Sequence, residues 1–382
     1  MKCADEFRSR EITAPLVAEI HREAFRPVRL MEVCGTHTMA IFRHGIRSLL
    51  PDTVELLSGP GCPVCVTPAG HIDAFVSAAR RPEVIVATFG DLIRVPGSDG
   101  SLADARAAGA RVEIVYSPMD ALTLAAREPE RTVVFPAVGF ETTAPTIAAT
   151  ILQAKRQGLD NFLVIPANKT MPRALEALLD DPQLQVDGLL CPGHVSAIIG
   201  AEAYRPLAER YHLACAVAGF EPADILAGLL SLIRQVNAAR ATVDNCYSRV
   251  VTAEGNLRAQ QLMAAVFAPV DSEWRGLGAI PASGLALGED FRRFDAMHVL
   301  DLPLSTARDP RGCRCGEILK GRLLPPDCPL YGGACTPLHP VGPCMVSGEG
   351  TCAAYHRYSD LKTSRRTAAA GQSTVRPYQG QP

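Results

Sequence analysis

The sequence has no excess of either charge: 38 basic and 40 acidic residues leave a formal net charge of −2. That balance offers no electrostatic footprint for nucleic acid or an anionic membrane surface. No apolar run approaches the ~18 residues that a membrane-spanning helix requires. The opening residues, MKCADEFRSREITAP, lack the apolar core of a secretory signal, which points to a cytoplasmic protein. A disordered composition is lacking too, because 47% of the 382 residues are hydrophobic. Cysteine, at 13 residues, is too scarce for a disulfide scaffold yet plentiful for a protein of a reducing compartment. There, clustered cysteines bind metal or carry redox chemistry.

What is present is an alternation of strands and helices. β-branched runs recur at 29–34, 53–59, 83–90, 111–117, 131–139, 162–167, 187–193 and 213–219, each ending in a Gly/Pro loop before a helical pattern. Helices are expected near 68–80, 101–108, 118–127, 145–157, 171–180, 196–210, 222–240 and 254–268. Thr67-Pro68 and Ser117-Pro118 each read as an N-cap followed by proline at the first helical position. Continuous apolar strands alternating with helices imply parallel sheets covered on both faces. The expected fold is therefore α/β, with two doubly wound, mainly parallel-sheet lobes plus a small Cys-rich iron–sulfur domain. Its divisions would be a lobe over 1–130 carrying Cys34, Cys62 and Cys65, and a second lobe over 131–240. A helical and Cys-rich cluster domain would follow over 241–360, and a disordered tail over 361–382.

Ligands of open α/β sheets bind beyond the carboxyl ends of the strands, and the unusual residues cluster there. They are Cys34-Gly-Thr-His37, Cys62-Pro-Val-Cys65, Gly90-Asp91, Gly139-Phe-Glu141-Thr142-Thr143 and Pro192-Gly193-His194. Cys62 and Cys65 form a C-x-x-C, suited to binding one metal or to thiol–disulfide exchange. They could also be two ordinary buried cysteines in a turn, or half of a zinc site completed by Cys34 and His37. Cys34 closes an apolar strand and opens a loop, as an exposed thiolate would. His37 beside it is a candidate ligand or proton shuttle, or simply a satisfied polar residue. His194 carries the same ambiguity, while Glu141 and Thr142 either cap the next helix or face a ligand. Cys328, Cys335, Cys344 and Cys352, on a Gly/Pro-rich scaffold, make the ligand set of a 4Fe–4S cluster. Their wide spacing disfavours zinc, whose structural sites use tight C-x₂₋₄-C knuckles. Cys313 and Cys315 stand as alternates for any of the four.

Seven blocks then resemble one family in order along the chain. They are MEVCGTHTMAIFRHGIRSLLP, SGPGCPVCVTP, TFGDLIRVPGS, GFETTAPT, PGHVSAIIG, CRCGEILKG and CPLYGGACTPLHPVGPCMVSGEGTCAAYHRY. The chain resembles the HypD family of NiFe-hydrogenase maturation factors from residue 31 to 358, with Met39 where some relatives carry a second histidine. The resemblance implies assembly of the Fe(CN)2CO moiety with a small HypC-type chaperone and cyanide from a HypE-type donor. Carried over, Cys34 would bind the iron with His37 beside it, and Cys62 and Cys65 would be the redox pair or further iron contacts. Cys328, Cys335, Cys344 and Cys352 would hold the cluster. Asp91, Glu141, Thr142 and His194 would support the ligand site. A free-standing iron–sulfur disulfide reductase and a passive docking scaffold remain as other readings, although the first leaves Cys34 and His37 without a task.

Overall fold

A computed structural model of the chain describes residues 6–304 and 310–358, so the expected tail over 361–382 lies outside the described residues. All eight strands expected from the sequence are present. One sheet has five parallel strands, β1 (Val28–Glu32), β2 (Val54–Ser58), β7 (Gly188–Pro192), β8 (Ala214–Ala218) and β9 (Val243–Asn245), in the order β2-β1-β7-β8-β9. The other has four parallel strands, β3 (Val84–Thr88), β4 (Arg111–Ile114), β5 (Thr132–Gly139) and β6 (Phe162–Asn168), in the order β4-β3-β5-β6. Central strands such as β3, β7 and β8 are buried at every position, as strands covered on both faces must be.

The sheets cut the chain differently from the expected divisions at 130 and 240. The sheet that bears Cys34 takes β1 and β2 from the start and β7 to β9 from far downstream, while β3 to β6 form the other sheet between them. The reason is topological. A right-handed crossover dictates that successive strands run parallel, not that they share a sheet. Here β2 is an edge strand, and the chain returns at β7 to pair with the free side of β1.

Local signals explain most element ends and two departures. Ser117 caps the helix Pro118–Arg127, accepting from Met119 N while Asp120 receives the Ser117 amide. Thr67 does not cap the next helix. It closes the short helix Pro63–Val66, donating to Pro63 O, and the helix Ala69–Ala79 follows Pro68. The helix expected over 196–210 is broken into Gly193–Ile199 and Arg205–Tyr211, because Gly200 adopts φ +86 between them. No helix among the described residues is long and apolar enough to cross a membrane.

A hairpin that the sequence pattern concealed, β10 (Phe267–Trp274) and β11 (Gly278–Leu287), docks beside β6. Thr170 N donates to Ser283 O at 2.9 Å, and the buried Lys169 Nζ donates to Ser272 Oγ at 2.8 Å and Glu273 O at 2.6 Å. Trp274, the only tryptophan in the sequence, stacks on Phe140 at 5.8 Å and donates Nε1–H to Ser283. Trp274→Ala empties a fully buried site, and the expected loss is about 3–5 kcal/mol of unfolding free energy, read by urea titration with circular dichroism. A loss below ~1 kcal/mol would show that the hairpin is not anchored through this ring.

Candidate functional site

The order of each sheet reverses direction at one place, between β1 and β7 in the first and between β3 and β5 in the second. Cys34 follows β1 and His194 follows β7; Asp91 follows β3 and Glu141 follows β5. These are the crevice positions of open α/β sheets.

Cys34 sits in extended conformation at the N-cap of the helix Gly35–Arg43, not at an open surface. Burial, reinforced by the Glu349 carboxylate, pushes its thiol up to about 12, against the pull of the Thr36 and His37 amides toward the thiolate. A cation at the sulfur would reverse that balance, because a metal ion favours the thiolate directly. His37 is buried and directs Nε2 at Gly219 O (2.9 Å) and Ala218 O (3.2 Å). Two carbonyl acceptors place the proton on Nε2, so Nδ1 carries a lone pair, and it has no partner among the described residues. Burial lowers this imidazole to about 4, which keeps it neutral. Phe220 stacks on both His37 (4.8 Å) and His194 (3.9 Å). His194 is exposed, and the desolvation it does experience lowers it from the ordinary imidazole value.

The C-x-x-C lies against the same backbone. Gly35 N donates to Gly61 O at 3.0 Å, and a Cβ at Gly61 would fall 2.3 Å from Cys34 Cα. Cys62 caps the helix Pro63–Val66, with Cys65 N donating to its Sγ at 3.2 Å. Its S–H donates to Ser347 Oγ at 3.3 Å, and Ser347 in turn donates to Asp91 Oδ2 at 3.4 Å. The amides of Glu349 and Gly348 fix Ser347 Oγ and Asp91 Oδ2. Cys65 is fully buried, and its thiol is pushed well above the ordinary range by burial, although a hydrogen bond with Cys344 pulls the other way.

Beyond Cys65, six cysteines rather than four line one cavity: Cys313, Cys315, Cys328, Cys335, Cys344 and Cys352, with Leu330, Tyr331 and Met345 around them. Cys315 Sγ and Cys344 Sγ are 2.7 Å apart, and Val341 N donates to Cys335 Sγ at 3.3 Å. Cys315 and Cys344 are both pushed well above the ordinary thiol range. One thiol neighbour favours each thiolate, Cys313 for Cys315 and Cys315 for Cys344, but the remaining thiols and burial outweigh it. Among the described residues no group of three or more His, Cys, Asp or Glu is poised around a single metal ion. The donor set of the cavity is nonetheless all sulfur in an apolar wall, which is the chemistry of a thiolate-held iron–sulfur cluster. All twelve cysteines among the described residues are unbridged.

The HypD family model, described as "Hydrogenase formation hypA family", matches residues 11–359. The chain belongs to the HypD family. The hydrogenase maturation factor HypD of Escherichia coli K12 is 49% identical over 367 residues, 94% of this chain and 98% of that protein. Its counterpart in Azotobacter vinelandii is also 49% identical, over 94% of this chain and 97% of its own length. The Rhodobacter capsulatus HypD is 46% identical over 376 residues, 95% of this chain and 100% of its own length. The chain is accordingly a hydrogenase maturation factor of the HypD family.

The remaining candidate residues of this HypD chain fall into place unevenly. Glu141 is buried with Oε1 accepting from Met171 N at 2.9 Å, and Oε2 has no partner among the described residues. Thr142 is exposed, and Thr143, at the N-cap of the helix Ala144–Gln157, makes no side-chain cap bond. Sequence reasoning passed over Ser347, which joins Cys62 to Asp91, and Glu349, which receives Thr36 Oγ1. Their only sequence signal was membership of the CMVSGEG run.

Burial pushes the Glu141 carboxyl up to about 7 from 4.5. A raised folded-state value means stability that is complete below pH ~4.5 and lost as pH rises through about 7, by roughly 3 kcal/mol for a shift of this size. Glu141→Gln removes the ionisation, so its unfolding free energy relative to wild type should rise between pH 5 and pH 8. Parallel urea midpoints at the two pH values would show that Glu141 is already ionised at pH 5.

Proposed function

We propose that this chain is a scaffold and redox protein for assembling the Fe(CN)2CO moiety of a NiFe hydrogenase. The iron is its cargo, held at Cys34 beside the neutral His37 and shared with a HypC-type chaperone. Cyanide comes from a HypE-type donor carrying a thiocyanate. The observation that carries the reading is the continuous run of sulfur contacts from Cys62 through Cys65 to Cys344, laid against the Cys34 backbone at Gly61.

Release of cyanide from a thiocyanate, RSCN, needs two electrons. The Cys62/Cys65 dithiol supplies them: RSCN and two thiols give RSH, cyanide with a proton, and a Cys62–Cys65 disulfide. Cys62, hydrogen-bonded through Ser347 to the exposed Asp91, can pass its proton outward, whereas Cys65 faces the cysteine-lined cavity. The thiols lining that cavity would hold a 4Fe–4S cluster, which would supply the single electrons needed to restore the dithiol. Cys328, Cys335, Cys344 and Cys352 are the ligands expected from the sequence. The contacts of Cys344 with Cys65 on one side and Cys315 on the other favour placing Cys344 and Cys315 between the dithiol and the cluster, with Cys313 completing the ligand set beside Cys328, Cys335 and Cys352. The unbridged thiols among the described residues suit a cytoplasmic site of action.

The test is an infrared spectrum of the anaerobically purified chain, co-expressed with its small partner and the other maturation proteins. Metal–cyanide and metal–carbonyl bands are expected, lost in Cys34→Ala and in Cys62→Ala. Bands that persist in Cys62→Ala would remove the dithiol from the reaction. A blank wild-type spectrum with full iron and sulfide would instead support a disulfide reductase.

A further inference from the structure

Arg47 sits where two strands and two helices converge. It lies in the short 3-10 turn Ile46–Leu49, and its guanidinium touches four separate elements. Nη1 donates to Leu56 O in β2 at 2.8 Å. Nη2 lies 3.7 Å from Oε1 of Glu32, the buried last residue of β1, which also accepts from Ser58 at the end of β2. Its carbon centre stands 4.9 Å from the Phe42 ring and 5.6 Å from the Tyr355 ring, and those rings are 4.6 Å apart. Phe42 belongs to the helix Gly35–Arg43, just over two turns beyond Cys34; Tyr355 belongs to the helix Thr351–Tyr358, less than one turn beyond Cys352.

The two helices meet at this point, and nothing covalent near it joins them. The packed ring pair and the partly desolvated cation lying against both rings are the contacts that hold them there. Guanidinium is suited to the place because it is flat and weakly hydrated and can donate to a carbonyl while lying on a ring. Lysine would offer a point charge without that flat face.

We propose that Arg47 is a positioning residue that locks the helix capped by Cys34 to the helix bearing Cys352, so that Cys34 keeps a fixed place relative to the cysteine cavity. The significance of that lock rests on Cys34 being the iron-binding cysteine, but its existence does not, and the test is independent of iron assembly.

The experiment is site-resolved alkylation by mass spectrometry on the full chain, purified anaerobically with no mononuclear iron added. Cys191 and Cys215, fully buried in the sheet beneath, serve as internal references. Arg47→Met should raise the Cys34 rate about tenfold with both references unchanged, Tyr355→Leu should do the same, and the double variant should add little to either. Arg47→Lys should restore part of the protection, and Tyr355→Phe, which keeps the ring, nearly all of it. An unchanged Cys34 rate, single effects that multiply in the double variant, or references that rise with Cys34 would each overturn the proposal. If Arg47→Met does not fold, Tyr355→Leu and Tyr355→Phe decide the matter alone.

Discussion

Everything at the sulfur centre depends on two loops meeting backbone to backbone. The Gly35 amide reaches the Gly61 carbonyl at 3.0 Å, and neither residue has room for a side chain. A Cβ on Gly61 would enter the Cys34 main chain, and one on Gly35 would enter the main chain at Glu349. Because β1 and β2 are adjacent and in register, their carboxyl ends deliver these loops to the same spot. The Cys-rich segment then closes over both through Ser347 and Glu349. Three stretches far apart in the chain thus place Cys34, Cys62 and Cys65 together with almost no conformational freedom.

Much of this arrangement was legible because it follows from periodicity and chain chemistry. Continuous apolar runs marked eight of the nine strands in the two parallel sheets, missing only the three-residue β9, and the rule that ligands gather at strand carboxyl ends selected Cys34, Cys62, Asp91, Glu141 and His194. Strand pairing was not legible. Nothing local tells β2 that it is an edge, so the division into 1–130 and 131–240 followed chain order where the sheets do not. The hairpin Phe267–Leu287 was missed because one face is solvated and Pro269, Gly276 and Gly278 interrupt the alternation.

Side-chain roles were harder still. An exposed thiolate was expected at Cys34, whereas burial beside Glu349 favours the thiol. Four cluster ligands were expected with Cys313 and Cys315 as alternates, and spacing could not show that all six line one cavity with Cys315 against Cys344. Ser347 drew no attention in the sequence, because its partners Cys62 and Asp91 lie more than 250 residues upstream.

The interleaving of the sheets also has a temporal side. Val28–Glu32 needs Gly188–Pro192 as its second neighbour; where the two strands begin, Arg29 N already reaches Asp187, 158 residues on. At ribosomal rates of about 5–20 residues per second, that interval takes roughly ten to thirty seconds. During it Cys34, Cys62 and Cys65 have left the ribosome without the strands and the Cys-rich segment that bury them. Three thiols that are buried in the finished molecule are therefore among the longest exposed during its synthesis, so the redox state of the surroundings acts on this site before the fold does.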